Sequence, residues 1–438
     1  MRRITFLILG LVLVVLAFWG GTALGEMFPI FEAAPDTAAE ESVVEIVDEP
    51  EEEEEIFNPD LRTASLVAVG NIMAHTPQIE QAHIGDGEYD FSPSFEYIAP
   101  YLQPADLAIA DLEVSQAGPD ISFWNYSGYT GFPLFNAPQE LSVALRDAGI
   151  DAMTLANNHA MDRGYDGLQI TIDHLGSLGI ETFGAYKSRE ERDTPTIVDL
   201  NGIEVALIGY TYSTNGIPVP DGHDYAVNIT EEFRDTEPVI NDINQARLAG
   251  ADLVVVFPHW GAEHTTEPQP GYLRDAAYEM AAAGADLIIG GHPKYIQPLE
   301  WFFFENPDGT ERASLAVYSQ GNFISNQHYP HNLSPHVEYG LLLDFELTKS
   351  MDTGKAWISG VDYEITWVHR TWRHRILPLS EVMTGNPDTY NLTSSKVDEL
   401  ESWRQRIIDV IDLYGYSDEK SRAMALANAL LDEAMKPQ

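Results

Sequence analysis

The sequence has 438 residues, of which 44% are hydrophobic, so the chain can bury one large core or two ordinary ones. It contains no cysteine, which excludes disulfides, thiolate metal ligands and cysteine nucleophiles. With 69 acidic and 24 basic residues the formal net charge is −45, and so acidic a chain repels nucleic acid. Any metal site must therefore use His, Asp, Glu or Asn, and we expect no nucleic-acid partner.

An uncharged apolar run, Ile4–Leu24, follows Arg2 and Arg3. As a helix, this run would be about 31 Å long, which matches the hydrocarbon core of a bilayer. The arginines predict a cytoplasmic N-terminus with the rest of the chain outside. A cleaved signal peptide is the alternative, because Ala23-Leu24-Gly25 resembles a small-residue cleavage site. We expect residues 1–25 to be a retained single-pass anchor, because the run is longer than a usual signal core.

The next segment, residues 26–62, is predicted to be an acidic disordered linker. It has no Lys or Arg before Arg62, and Glu51–Glu55 is an uninterrupted acidic block. Such a composition repels itself and buries little apolar surface. We expect a folded domain over residues 63–348, then a strand and a C-terminal helical extension over residues 349–438.

From Thr63 onward, strand and helix patterns alternate to about residue 290, and strands dominate afterwards. This order predicts a layered α/β sandwich rather than a simple Rossmann sheet. The motifs GxGxxG, GxxxxGK[ST] and GxSxG are absent, so neither a nucleotide cradle nor a hydrolase elbow is indicated. The predicted strands are Ser65–Gly70, Asp106–Ala110, Asp151–Ala156, Gly179–Gly184, Thr196–Leu200, Glu204–Gly209, Asp252–Phe257, Asp286–Ile289, Gln297–Phe304, Ser314–Ser319, Gly340–Leu347 and Trp357–Trp367. The predicted helices are Pro138–Ala148, Tyr165–Leu178, Glu231–Leu248, Tyr272–Ala283, Ser395–Tyr414 and Asp418–Met435.

One segment, Thr154–Gly167 (TLANNHAMDRGYDG), has the strand–polar loop–helix layout that places ligands at the carboxyl end of a strand. The Asn158 carbonyl and the His159 imidazole suit a divalent metal, and Asp162 could orient the imidazole or shuttle a proton. The alternative is a tight loop whose Asn side chains satisfy backbone groups. We predict that His159 and Asp162 are catalytic.

Polar side chains also follow four other predicted strands. A single histidine after a strand is more often a hydrogen-bonded loop residue, but repetition at successive strand ends indicates a divalent metal site. Asn322 has a structural turn as an equal alternative. The predicted metal ligands are Asn71, Asp111, Glu113, Asn158, His259 and His292, and the other predicted site-lining residues are His75, Glu263, Lys294 and Asn322.

Six motifs in order give the sequence a family resemblance: VAVGNIMAH, ADLAIADLE, FNAPQELSVALRDAGIDAMTLANNHAMDRGYDG, HWGAEH, GADLIIGGHPKYIQP and YSQGNF. Over roughly residues 64–327 the chain resembles the CapA-type bacterial capsule synthesis proteins, which are associated with poly-γ-glutamate and resemble calcineurin-like metallophosphatases. The resemblance implies a four-layer α-β-β-α metallophosphatase-like sandwich, to which we add the N-terminal transmembrane helix and the C-terminal helical extension. It also implies work with membrane-bound polymer synthase subunits.

The sequence departs from the family pattern at three positions. Asn71 stands where the family usually has Asp, Asp111 where it has Asn, and Lys294 where it has His. A protonated lysine cannot ligate a metal, so Lys294 could take the place of a second cation and pair with Asp111 or Glu113. The alternative is that Lys294 points to solvent. We therefore expect one divalent ion, Mn²⁺, Zn²⁺ or Mg²⁺.

Two functions follow as expectations. The first is a membrane-anchored extracellular protein that acts in poly-γ-glutamate capsule biosynthesis or export through a metal-dependent hydrolase or phosphoesterase-like site. The second is a non-catalytic, polymer-handling subunit of a capsule synthase complex.

Overall fold

The computed structural model of the chain describes residues 59–306, 309–331 and 334–436. The predicted anchor Ile4–Leu24 and the linker up to residue 58 lie outside these ranges. Within the described ranges, no helix is both long enough and apolar enough to cross a membrane.

Strands and helices alternate first and strands dominate later, so the predicted mixed α/β class is confirmed. The strands are β1 (Leu61–Ile72), β2 (His83–Gly85), β3 (Glu88–Tyr89), β4 (Leu107–Leu112), β5 (Ser122–Phe123), β6 (Tyr126–Ser127), β7 (Ala152–Thr154), β8 (Glu181–Phe183), β9 (Thr196–Leu200), β10 (Ile203–Thr211), β11 (Leu253–His259), β12 (Leu287–Ile289), β13 (Leu299–Glu305), β14 (Glu311–Val317), β15 (Asn322–Ile324), β16 (Tyr339–Ser350), β17 (Ala356–His369) and β18 (Arg375–Pro378). The α-helices are α1 (Thr76–Ala82), α2 (Ser92–Phe95), α3 (Ala99–Leu102), α4 (Glu140–Ala148), α5 (Gly164–Ser177), α6 (Arg189–Asp193), α7 (Glu237–Leu248), α8 (Leu273–Ala282), α9 (Leu379–Thr384), α10 (Ser394–Ile411) and α11 (Tyr416–Ala434).

The first sheet has the strand order β18-β17-β16-β1-β4-β7-β8, and β15 pairs with the end of β1. Strands β1, β4, β7 and β8 run parallel, whereas β16, β17 and β18 add antiparallel neighbours on the other side of β1. The second sheet has the order β13-β14-β12-β11-β10-β9, with β10, β11, β12 and β14 parallel. Each sheet therefore contains a block of four adjacent parallel strands, whose carboxyl ends share one edge.

The alternation of side chains along β1 and β10 explains how the layers stack. Leu66 of β1 and Leu207 of β10 share one hydrophobic cluster between the two sheets. Val67 of β1 packs on the opposite side in a cluster with α4 and α5. Ile208 of β10 packs on the outer side of the second sheet in a cluster with α7 and α8. The described residues thus stack as helices, sheet, sheet, helices.

Helices α10 and α11 close one end of the core between the sheets, through buried side chains such as Leu400, Ile407 and Ala423. The predicted boundary between residues 348 and 349 falls inside β16, and β17 continues the same sheet. The division into domains stays a prediction.

The predicted helix Glu231–Leu248 is wrong in its first turn. The structure has a short 3-10 turn over Glu231–Phe233 and begins α7 at Glu237. Glu232 and Phe233 have φ values of 52° and 54°, which a helix does not allow. The buried Phe233 ring packs edge-on against Trp260, so a tertiary contact replaces the local helical preference.

Candidate metal centre and adjoining cavity

Parallel strands from both sheets end at one place and bring polar side chains together. Asn71 of β1 is paired in register with Asp111 of β4 in the first sheet. In the second sheet, His259 at the end of β11 pairs with Gly291, next to His292. The site therefore lies where the carboxyl ends of the two blocks of parallel strands meet.

Gly291 allows the second sheet to approach the first. A Cβ atom at this position would lie 2.9 Å from Oδ2 of Asp111 and 3.5 Å from Nδ1 of His259. Any larger residue would push apart the two side chains that join the sheets at the site. The absence of a side chain at Gly291 is therefore needed for Asp111 and His259 to meet.

Glu113, His259 and His292 form the centre of the site. All three are buried, and each offers one ligand atom within 4.8 Å of the other two. The His259 ring is fixed by two contacts: Nδ1 lies 2.7 Å from Oδ2 of Asp111, and Nε2 lies 2.9 Å from Oδ1 of Asn158. Its Nε2 also lies 3.6 Å from Oε1 of Glu113.

The proton arrangement around His259 provides a test of whether these residues suit a cation. Asn158 donates from Nδ2 to Asn215, which orients its Oδ1 toward His259. When Asp111 is ionised, His259 must donate from Nδ1 to it, and the Nε2 lone pair then faces the Asn158 oxygen. The buried Nδ1 of His292 also has no hydrogen-bond partner in the described chain. Nitrogen and oxygen lone pairs that face one another with no hydrogen between them can each coordinate a cation. This set of ligand atoms therefore suits one divalent ion.

Burial controls the protonation of this cluster. It lowers the pKa of His259 to about 3 and holds the pKa of His292 well below its usual value, so both imidazoles are neutral at pH 7. Burial raises the pKa of Asp111 to about 7, against the opposing effect of the Lys294 charge. A bound cation would favour the ionised Asp111.

Lys294 is fully buried, and its ammonium contacts both carboxylate oxygens of Glu113. The expectation that Lys294 pairs with one of the acids is confirmed, and the solvent-exposed alternative is wrong. Asn71 donates to the same carboxylate and, at 3.3 Å, to Asp111. His292 and Lys294 both have left-handed φ values, 93° and 65°, which are costly for residues with side chains.

His159 and Asp162 form a pair beside this cluster. Nδ1 of His159 lies 2.7 Å from Oδ2 of Asp162, and the backbone N–H of Phe135 donates to the same oxygen at 2.6 Å. Burial raises the pKa of Asp162, while its hydrogen bond with His159 opposes that rise. Since Nδ1 is committed to Asp162, Nε2 is the His159 nitrogen available to a ligand.

A cavity of about 720 Å³ opens next to this pair, a size suited to a small ligand. Its lining joins the polar site residues to an aromatic and apolar wall. The lining includes Asn158, His159, Tyr212, Asn215, Glu263 and His292 on the polar side and Trp124, Tyr126, Phe132, Pro133, Leu134 and Ile217 on the other.

The structure brings together most, but not all, of the predicted site residues. His75 contacts Gln78 and Asn326, and its ring packs on Phe135, so it lies behind the pair rather than in the cluster. Asn322 begins β15 instead of a turn and pairs in register with Asn71, so it lies at the same sheet edge, while its amide donates to Gln327 and to the Val337 carbonyl. Glu263 lies on the cavity wall.

Sequence reasoning missed three contributors to the site. Asn157 donates to Oδ1 of Asp111 at 3.1 Å and so orients that carboxylate. Tyr212 packs its ring 4.7 Å from the His292 ring, and Phe135 fixes Asp162 through its backbone. Tyr212 directly follows a parallel strand, so its position at a strand end could have indicated a place in the site. No comparable sequence feature marks Phe135.

Comparison with known proteins gives a consistent set of matches. Residues 65–327 match the family described as Bacterial capsule synthesis protein PGA_cap. Capsule biosynthesis protein CapA of Bacillus anthracis is 27% identical over 273 residues, which cover 60% of this chain and 60% of that protein. PGA biosynthesis protein CapA of Bacillus subtilis (strain 168) is 27% identical over 270 residues, which cover 61% and 64%. The match spans less than two thirds of the length of these relatives.

Solved structures with some similarity include the calcineurin-like phosphoesterase YfkN from Bacillus subtilis. It is 19% identical with a TM-score of 0.37, over 70% of this chain and 91% of that chain. A putative 5'-nucleotidase from Staphylococcus aureus is 14% identical with a TM-score of 0.39, over 72% and 54%.

Proposed function

The chain belongs to the bacterial capsule synthesis protein PGA_cap family, and from this premise we propose that it acts in the biosynthesis or export of a poly-γ-glutamate capsule polymer. In this proposal the N-terminal helix anchors it in the cell membrane and the bulk of the chain lies outside. It works alongside membrane-bound polymer synthase subunits. Its own reaction takes place at a metallophosphatase-like, metal-dependent hydrolase site.

The convergence of Glu113, His259 and His292 is the observation that carries the catalytic part of the proposal. With Asn158 they would hold one divalent ion, Mn²⁺, Zn²⁺ or Mg²⁺. Such an ion, when bound, polarises a phosphoryl or carbonyl oxygen and lowers the pKa of water. Asp111 orients His259 by accepting from Nδ1, as carboxylates that do not touch the metal commonly do for metal-binding imidazoles.

The pair of His159 and Asp162 supplies the proton-transfer group in this proposal. Asp162 holds Nδ1, so Nε2 of His159 would exchange a proton with the reacting group in the cavity. Both residues are largely shielded from water, and Phe135 packs on the His159 ring at 4.7 Å. The pair is therefore fixed in orientation before a substrate arrives.

A non-catalytic, polymer-handling role is the second candidate. The observation that favours it is the contact of Lys294 with both oxygens of Glu113, because this ammonium balances the acid without any metal. A net charge of −45 opposes direct capture of a polyanion, so in this role cations would bridge the protein and the polymer.

Metal analysis of the purified full-length protein, followed by turnover assays, tests the proposal. We expect about one Mn²⁺ or Zn²⁺ per chain, and hydrolysis of a generic phosphodiester or γ-glutamyl peptide that is lost in His159→Ala. Metal binding without turnover of either substrate would favour the polymer-handling role. No metal binding at all would reject the catalytic proposal.

The proposed location has its own test. Protease added to intact cells should remove the domain and leave a small N-terminal fragment. Digestion that occurs only after lysis would contradict an extracellular domain.

A further inference from the structure

The cavity beside His159 has a wall of large aromatic side chains that face water. Trp124 is 67% exposed and Phe132 is 76% exposed, although each could bury a large apolar area. Both line the cavity that His159 and His292 also line. Exposed aromatic rings at the mouth of a polar cavity mark a surface that a ligand covers.

The backbone at Trp124 strengthens this interpretation. Strands β5 and β6 pair Phe123 with Tyr126, so Trp124 is the first residue of a two-residue hairpin turn. Its φ is 52°, a value for which such turns favour glycine. The fold by itself would favour glycine here, yet the position carries the largest side chain, held by the Phe123 ring at 5.0 Å. Strain kept at an exposed site points to function.

The charges of the cavity restrict what it can bind. Among the described residues that line it there is no Lys or Arg, and Glu263 is the one carboxylate. A polyanion would therefore meet an acid and no basic side chain, in a chain of net charge −45. The occupant that this lining complements is uncharged.

The two sides of the cavity define that occupant further. Trp124 and Phe132 offer flat apolar faces, whereas Asn215, Glu263 and Tyr212 offer hydrogen-bonding groups. A ligand that matches both has an apolar ring face and a polar rim, which is the chemistry of a sugar ring. We infer that this cavity binds a sugar ring of a glycan, with Trp124 as the stacking platform. The inference goes beyond the proposed function, because it gives the cavity an uncharged ligand that binds without a metal.

Calorimetric titration of the full-length protein tests this in metal-free buffer with a chelator. The probes are a tetramer of N-acetylglucosamine, maltotetraose, adenosine and tetra-γ-glutamate. We expect at least one sugar to bind and tetra-γ-glutamate not to bind. Trp124→Ala and Phe132→Ala should weaken sugar binding at least tenfold, whereas Trp124→Phe should stay within about threefold. Tyr278→Ala removes an exposed ring that does not line the cavity and should change nothing.

Trp124→Gly separates binding from folding. Glycine relieves the positive φ, so Tm should stay equal or rise while sugar binding falls at least tenfold. Failure of both sugars to bind, unchanged sugar binding in Trp124→Gly, or preferential binding of adenosine or tetra-γ-glutamate would each overturn the inference. Because no metal or turnover is involved, these results are distinguishable from failure of the proposed catalytic site.

Discussion

Lys294 shows what a single residue decides in this site. Its ammonium is fully buried and contacts both oxygens of Glu113, one of the three residues that could hold a metal. Removing one partner of a buried ion pair leaves an uncompensated charge, which is strongly unfavourable. A divalent cation could replace that missing positive charge, so Lys294 and a metal compete for the same carboxylate.

Lys294→Met should therefore lower the free energy of unfolding of the metal-free protein by about 3–5 kcal/mol, and added Mn²⁺ should recover part of the loss. Denaturant unfolding with and without Mn²⁺ measures both effects. Lys349→Met is the matched control, because Lys349 pairs with Asp252, which is not in the metal cluster. If Mn²⁺ stabilises the two variants equally, Lys294 does not compete with a metal.

The hydrogen bond between Asp162 and His159 leads to a second prediction about a single residue. Because it accepts from Nδ1 of His159, the neutral imidazole should carry its proton on Nδ1. Nitrogen NMR of the His159 ring should show this tautomer in the parent protein and its loss in Asp162→Ala, because an Asn oxygen would still accept from Nδ1 and from the Phe135 N–H whereas Ala offers no acceptor. Turnover, where the parent shows it, should fall about 100-fold or more. An unchanged tautomer in the variant would remove Asp162 from its positioning role.

Among the elements, local patterns and tertiary contacts had different effects. The predicted strands Thr196–Leu200 and Glu204–Gly209 correspond to β9 and β10, which form a hairpin across Asn201-Gly202, a dipeptide that favours a two-residue turn. The first turn of the predicted helix Glu231–Leu248 was wrong, because burial of Phe233 overrides local preference. The glycines at the ends of the helices that precede β7 and β8 show how the surrounding structure changes the cost of a substitution.

Gly149 follows α4 and Gly179 follows α5, and the two glycines have positive φ values of 111° and 76°. A Cβ at Gly149 would lie 2.7 Å from the backbone nitrogen of Gln103, whereas nothing lies within 4 Å at Gly179. Gly179→Ala should cost about 1–2 kcal/mol from backbone strain alone. Gly149→Ala should cost about 1–3 kcal/mol more, because the methyl group also clashes. If denaturant unfolding shows the same loss of unfolding free energy in both variants, α4 can shift enough to accommodate the added methyl group.

For the molecule as a whole, buried neutral histidines link stability to pH. Burial lowers the pKa of His374 to about 3, while the unfolded chain protonates it near 6.5. Between these values the unfolded state binds more protons, so the free energy of unfolding falls as the pH falls. Asp111 acts in the opposite direction, because burial raises its pKa to about 7.

His374→Gln isolates one of these contributions. Between pH 6.5 and 5 the parent should lose about 2 kcal/mol through His374, and the variant should lack that part of the slope. Unfolding at pH 5, 6.5 and 7.5 measures the difference. His331→Gln, at an exposed position, should keep the slope of the parent. A variant slope equal to that of the parent would mean that His374 is not held neutral.

The family, the mixed α/β class and the strand ends that carry polar residues can all be predicted from the amino-acid sequence. Apolar periodicity reports which face of a strand is buried, and polar residues after a strand report where it ends. These local signals were enough to single out Asp111, Glu113, Asn158, His159, His259 and His292.

Which strand ends meet, and therefore which polar residues share a site, depends on how the two sheets pack together. Periodicity does not specify neighbours, so His75 and Asn322 were predicted to line the site although their side chains make other contacts. The same limit hid Tyr212 and Phe135, which reach the site from loops. It also hid the wall formed by Trp124 and Phe132, because loop positions depend on distant contacts that no local pattern records.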